Sequence, residues 1–100
     1  MSQTYAEFAM IFKAISDATR LKIVDMLSWG EMCARDILEE FSISQSTLSY
    51  HMKILCDSGL VNAERNGAWM NYSLNQHKAR TVLAFLSHIT TTKTISLQQD

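Results

Sequence analysis

The architecture follows from one stretch of sequence, SISQSTLSYHMKILCDSGLVNAERNGAWMNYSL, which occupies residues 42–74. Residues 42–44 interrupt a preceding apolar pattern, and Ser44 is a favourable N-cap for a helix from about Gln45 to Asp57. A short helix before this break, at residues 33–41, completes a pair of helices joined by a tight turn. The first part of the stretch therefore predicts a helix-turn-helix unit.

The second part of the stretch predicts a β-hairpin. Residues 61–65 can form one strand, and Met70, Tyr72 and Leu74 in the next run recur with the period of two that is typical of a half-buried strand. Asn66-Gly67 lies between the two runs and predicts a type I′ turn, in which both central residues need a positive φ.

Helical patterns extend on both sides of this stretch. A first helix is predicted at residues 5–15, Asp17 is a candidate N-cap for a second helix that ends at Gly30, and an amphipathic helix begins at Gln76. The order α-α-α-α-β-β-α predicts a mainly α fold with a small β-hairpin wing, a winged helix-turn-helix. The apolar stripe of the second helix comprises Leu21, Ile23, Val24 and Leu27.

The first predicted helix is apolar on nearly every side, with Glu7 and Lys13 as its charged residues. Such a helix must be buried all round, and a chain of 100 residues can rarely wrap its own terminal helix, so a subunit interface is expected there. We expect one DNA-binding and dimerisation domain over residues 1–91 and a flexible polar tail over residues 92–100.

Composition and charge narrow the possible functions. The chain is 47% hydrophobic and 19% charged, with a net charge of −1, as in an ordinary globular protein. Between residues 42 and 80 lie four cationic and two anionic side chains, a mild bias that favours DNA binding by a dimer rather than by one subunit. The sequence lacks a phosphate-binding glycine loop, a nucleophile elbow and a zinc-hydrolase spacing, so no enzyme activity is expected.

The cysteines and the lengths of the apolar runs predict the cellular compartment of the protein. No run approaches the length that spans a membrane, and no secretory leader is recognisable. Two cysteines, Cys33 and Cys56, then predict reduced thiols and a cytoplasmic protein.

One face of the helix after Ser44 carries Gln45, Ser49 and Lys53, with Ser46 and Tyr50 beside them. Glutamine can pair with adenine edges and serine with purine or pyrimidine edges in the major groove. A solvated surface is the alternative, but carboxylates and lysines usually fill such surfaces. This face therefore predicts contact with duplex DNA, and the opposite face anchors the helix to the core through Leu48, Met52 and Leu55.

Three further residues are candidates for contact with the DNA backbone or the core. Thr47 lies at the helix N-terminus, where phosphates bind favourably, and Arg65 at the hairpin tip is a candidate contact to phosphate or the minor groove. An ordinary surface arginine is the alternative for Arg65. His51 is expected to pack and to form a hydrogen bond rather than to read bases.

Four segments of the sequence carry a family resemblance when taken together. They are FKAISDATRLKIVDML (12–27), EMCARDILEEF (31–41), SQSTLSYHMKILCDSGLV (44–61) and NGAWMNYSLN (66–75). In this order they resemble the ArsR-type family of repressors, close to its arsenical-resistance branch. The resemblance implies a homodimer built from the first and last helices, operator binding by the winged unit and release by an inducer. It also implies DNA contacts by Gln45, Ser46, Ser49 and Tyr50.

The sensor site departs from that branch, which carries Cys-x-Cys where this chain has Cys33-Ala34-Arg35. Arsenite or antimonite prefers about three thiolates, and each chain supplies Cys33 and Cys56. His77 and His88 could instead meet across a dimer and hold a divalent metal. Relatives that sense zinc complete such a site with a further carboxylate and imidazole on the last helix, and this chain has Asn75 and Thr91 at those positions. The alternatives are a redox-active Cys33, control by a partner protein, or a winged helix used for protein–protein contact.

Overall fold

The computed structural model describes residues 4–94 and, within them, a winged helix-turn-helix. The predicted tail at 92–100 falls largely outside this range, since residues 95–100 are not described, and residues 92–94 form no regular secondary structure. The elements of the described part are α1 (Tyr5–Ala14), α2 (Ala18–Leu27), β1 (Met32–Cys33), α3 (Ala34–Leu38), α4 (Gln45–Asp57), β2 (Val61–Asn66), β3 (Trp69–Leu74) and α5 (Gln76–Thr90).

The N-terminal caps explain where the helices begin. The Asp17 carboxylate accepts a hydrogen bond from the backbone N–H of Arg20 at 3.1 Å, which satisfies one of the free donors of the first turn of α2. The Ser44 hydroxyl accepts from the backbone N–H of Thr47 at 3.1 Å in the same way. Both predicted caps are confirmed, and Asn75 caps α5 similarly.

The sheet has three strands rather than the two of the predicted order α-α-α-α-β-β-α. β1 pairs antiparallel with β3, opposite Tyr72 and Asn71, and the strand order is β1-β3-β2. The prediction that the third helix begins at Cys33 was therefore wrong, because Cys33 ends β1 and α3 begins at Ala34. Two residues are too few to show a strand period, so only their pairing with β3 reveals β1.

The hairpin is confirmed, but the position and type of its turn differ from the prediction. Asn66 pairs with Trp69, so Gly67 and Ala68 are the two loop residues. Gly67 has φ 66°, whereas no non-glycine residue between 4 and 94 has a positive φ. Glycine at the first central position is the pattern of a type II′ turn, not of the predicted type I′ turn.

The main core lies between α2, α3, α4 and the sheet. The predicted inner face of α4 is confirmed, since Leu48, Met52 and Leu55 are all buried. Leu21 was wrongly placed on the apolar stripe of α2, because its side chain is 53% exposed. The buried members of this cluster are Ala14, Ile23, Leu27, Ile37, Leu48, Met52, Leu55 and Val61.

A second, smaller cluster joins α1 to α5. Phe8 stacks on Phe85 with ring centroids 3.8 Å apart and planes 2° from parallel. The rest of α5 is less well covered, since no α5 residue is buried and Leu83 is 68% exposed. On α1, Phe8 and Ile11 are buried but Tyr5 and Met10 are exposed, so one chain does not bury this helix all round.

Replacing Leu55 with alanine tests the role of the α4 core face. Because Leu55 is fully buried, we expect Leu55→Ala to lower the free energy of unfolding by about 2–5 kcal/mol, measured by urea denaturation at fixed protein concentration. The same substitution at the exposed Leu21 should change it by about 0.5 kcal/mol or less. Equal losses at the two positions would contradict this account of the core.

Candidate nucleic-acid interface

The exposed face of α4 brings together most of the predicted DNA-contacting residues. The apolar face of the helix is buried, so the polar side chains on the other faces are directed away from the core. None of the residues from Gln45 to Lys53 is a carboxylic acid. The residues concerned, all exposed, are Gln45, Ser46, Thr47, Ser49, Tyr50 and Lys53.

Hydroxyl groups cluster at the N-terminus of α4. The Ser44 hydroxyl donates a hydrogen bond to Thr47 Oγ1 at 3.0 Å and lies 3.1 Å from Ser46 Oγ. Because Thr47 Oγ1 accepts this bond, its own O–H proton is free to donate to an external acceptor. The first backbone N–H groups of the helix point the same way, so this end can hold an anionic oxygen such as a phosphate.

Lys53 lies on the same face and forms a salt bridge with Asp57, with Nζ to Oδ2 at 3.2 Å. Both side chains are exposed, at 77% and 54%, and a pair of this kind contributes about 0–1 kcal/mol. The Lys53 ammonium can therefore exchange this carboxylate for a phosphate at little cost.

Arg20 connects α4 to α1 and α2. Its Nη1 donates to Nδ1 of His51 at 2.9 Å, and its Nε donates to the carbonyl of Ala14 at 2.6 Å. The guanidinium thus links the end of α1 and the start of α2 to the middle of α4. This confirms the expectation that His51 packs and hydrogen-bonds, whereas no sequence pattern indicated Arg20 as its partner.

The pKa of Asp17 reflects the same junction. The hydrogen bond from the Arg20 backbone N–H lowers the pKa of this carboxyl below its ordinary value, and the charge of the Arg20 guanidinium adds to the effect. Asp17 therefore stabilises α2 chiefly in its ionised form.

The wing is tied to α3 by a cation–π contact that the sequence did not predict. The Arg35 guanidinium lies 5.0 Å from the centroid of the Trp69 ring, at the start of β3. Arg65 is exposed near the end of β2, opposite Met70, and lies on the wing as predicted.

The candidate sensor residues are not brought together within one chain. Cys56 packs against the main core, and burial raises the pKa of its thiol, with a smaller contribution from Asp57. Cys33 follows Met32, which packs on the core, so strand alternation places Cys33 on the other side of the sheet. His77 and His88 are exposed on α5. Among residues 4–94, no three His, Cys, Asp or Glu side chains form a metal-binding group.

These features define a class of protein: a winged helix-turn-helix with an exposed polar face on the second helix of the turn. Between residues 4 and 94, no helix is both long enough and apolar enough to cross a membrane.

Comparisons with known proteins identify the family. The sequence model of the bacterial regulatory protein arsR family matches residues 17–63. The chain is 51% identical over 72 residues to an arsenical resistance operon repressor of Staphylococcus xylosus, covering 72% of this chain and 69% of the relative. It is 44% identical over 88 residues to the repressor of the same description from Staphylococcus aureus, covering 88% and 85%.

The fold matches as well. A solution structure of a homodimeric winged helix-turn-helix DNA-binding domain from Mycobacterium bovis, a possible ArsR-family regulator, has a TM-score of 0.70 and 24% identity, with coverage of 92% and 98%. The chain belongs to the ArsR family of bacterial regulatory proteins. It is a DNA-binding transcriptional regulator rather than an enzyme, as the sequence indicated.

The lowered pKa of Asp17 gives a pH-dependent prediction. A carboxyl with a lowered pKa in the folded state adds stability above the unfolded value of about 4 and loses it as pH falls through the folded value. The stability gap between the wild type and Asp17→Asn, measured by urea unfolding, should therefore be full above pH about 5 and shrink below pH about 4. The matched variant Asp25→Asn, on the exposed side of α2, provides the control. A gap for Asp17→Asn that is independent of pH would disprove the role given to its charge.

Proposed function

We propose that the chain is a cytoplasmic, homodimeric repressor that binds an operator in duplex DNA through α4 and the wing. The observation that carries the proposal is the exposed face of α4, which is rich in hydroxyl and amide groups and free of carboxylates from Gln45 to Lys53. A surface of this kind supplies donors and acceptors to base edges without repelling the phosphates. The cytoplasm is the compartment that the proposal requires, because bacterial operators lie there.

Each residue of the face has a proposed role. Gln45 and Ser49 contact base edges in the major groove, because amide and short hydroxyl side chains allow close approach. Thr47 donates to a phosphate from the helix N-terminus, and Lys53 neutralises a phosphate farther along. Ser46 and Tyr50 make flanking contacts to bases or backbone. Arg65 extends the wing toward a phosphate or the minor groove.

A second copy of the chain covers α1 and α5 in this proposal. Leu83, Leu86 and Ile89 are exposed on one chain although they are large and apolar, and exposed apolar patches of this kind mark subunit interfaces. The Mycobacterium bovis domain is homodimeric, which supports the same assembly here. Two linked copies of a mildly basic surface also bind the same DNA with higher affinity than one copy does. Within the described range, residues 4–91 then serve as one DNA-binding and dimerisation domain.

A thiophilic or metal inducer stays a prediction. The two relatives named above are arsenical resistance operon repressors, which supports arsenite or antimonite as candidates. Cys33 and Cys56 of one chain lie in different surroundings, so a thiolate site would draw on both protomers of the dimer. His77 and His88 are exposed and could be shared between protomers in the same way.

Removal of the Gln45 amide should weaken operator binding selectively. We expect Gln45→Ala to cost about 1–3 kcal/mol on the operator, about fivefold to about 150-fold in affinity, with little change on random duplex. The measurement is a mobility-shift titration on DNA just upstream of the gene. Lys53→Ala is the contrasting variant, because loss of a phosphate contact should weaken binding on every sequence and reduce the salt dependence.

Two results would count against this assignment of the interface. Equal losses for Gln45→Ala on operator and random DNA would mean that α4 does not read bases. No retardation of duplex DNA by the wild type at low salt would instead favour the winged helix as a protein–protein contact module.

A charge at Leu83 should separate the two subunits. Leu83→Asp is expected to raise the dissociation constant of the dimer by about tenfold or more, because it removes a buried leucine and places a carboxylate in the interface. Sedimentation equilibrium measures this change, with Leu21→Asp as the control because Leu21 is similarly exposed but lies on α2. A Leu83→Asp protein that dimerises as tightly as the wild type would place the interface elsewhere.

A further inference from the structure

A cleft with a volume of about 180 Å³ lies between α3, the first half of α4 and β3. Its walls are largely apolar, formed by Leu38 from α3 and by Leu48 and Met52 from α4. An apolar cavity of about 150 Å³ is large enough to hold benzene in another protein. The cleft can therefore take a molecule with one aromatic ring.

The polar groups of the cleft indicate the charge of its occupant. Arg35 is the one charged residue that lines it, and no carboxylate lines it. Over residues 4–94, Arg35 forms no salt bridge, so its charge is available to an anion. Its guanidinium lies on the Trp69 ring, which also lines the cleft and offers an aromatic surface.

Tyr72 lines the cleft on the β3 side, and its side chain is half-buried. Desolvation raises the pKa of its hydroxyl above the ordinary value, so Tyr72 brings no charge to the cleft at neutral pH. A guanidinium beside apolar walls suits a ring that carries a carboxylate.

The cleft is continuous with the proposed DNA-binding face. Gln45 and Ser49 line it and are also exposed on the side of α4 that the proposed function assigns to the major groove. Trp69 belongs to the wing and Arg35 to α3, so an occupant would touch three of the elements that set the spacing between α4 and the wing. Occupancy of this cleft would therefore change the spacing between α4 and the wing, and with it their fit to DNA.

We propose that this cleft binds a small aromatic carboxylate, with its ring against Leu38, Leu48 and Met52 and its carboxylate on Arg35. We also propose that the bound molecule lowers operator affinity, a part that rests on the proposed function. The binding part does not depend on DNA and is tested without it.

Benzoate is the probe for the binding experiment, and benzyl alcohol is its uncharged analogue. The chain has two tryptophans, and Trp29 is 90% exposed and does not line the cleft, so its indole N–H signal serves as an internal control. In ¹H–¹⁵N spectra of the full chain without DNA, benzoate should shift the Trp69 indole signal in a saturable way and leave that of Trp29 in place. Benzyl alcohol should bind about tenfold more weakly, because it lacks the charge.

Two variants test whether the ligand binds in the cleft. Arg35→Gln should weaken benzoate binding about tenfold and leave the affinity for benzyl alcohol unchanged, measured by calorimetry because this variant also alters the surroundings of Trp69. Ala34→Leu adds a side chain at the wall of the cleft and should abolish binding of both probes while the unfolding midpoint is retained. The proposed site would be wrong if both indole signals shifted equally or if the two probes bound with equal affinity. It would also be wrong if Ala34→Leu bound the probes as the wild type does.

The regulatory part is tested on operator DNA. Saturating benzoate should weaken operator binding by the wild type at least severalfold and should not affect Ala34→Leu, which alters no proposed DNA contact. Benzoate that binds in the absence of DNA but leaves operator affinity unchanged would overturn the regulation and retain the ligand site. Failure of the wild type to bind any duplex would count against the proposed function alone, since the spectra report ligand binding independently.

Discussion

Burial of the apolar face of α4 is the interaction on which the DNA-binding geometry depends. Leu48, Met52 and Leu55 fill the space between α2, α3 and the sheet, and their side chains occupy one side of the helix. Because α4 cannot rotate without exposing them, the polar residues on its other side are held outward. The hydroxyl-capped N-terminus and the amide of Gln45 lie on the proposed DNA-binding face as a consequence of this packing.

Two arginines fix the positions of α4 and of the wing, which apolar packing alone does not determine. Arg20, at the start of α2, bonds the end of α1 and, through His51, the middle of α4, so directional hydrogen bonds hold α4 relative to α1 and α2. Arg35 performs a related role for the wing, because its guanidinium lies on Trp69 and joins α3 to β3. Apolar surfaces slide past one another at small cost, whereas these contacts have a defined distance and direction.

One chain leaves large apolar side chains of α5 exposed, which indicates that its packing is completed by a second copy. α5 contributes Phe85 to a small cluster around Phe8, yet Leu83 and its apolar neighbours on α5 stay exposed. In the proposed dimer the same surfaces are covered, and two α4 helices are presented at once. Weak contacts by each subunit then add, which suits a protein with a net charge of −1.

Local signals in the sequence were sufficient for the order of the main elements, the caps at Asp17 and Ser44, the outward face of α4 and the family resemblance. The caps and the outward face of α4 depend on residues within one or two turns of each other, where spacing alone defines geometry. The rest needed the folded chain: β1 exists because it pairs with β3, and the register of that sheet sets the turn at Gly67. The Arg20–His51 bond and the cleft beside Arg35 join residues far apart in sequence, which no local pattern encodes.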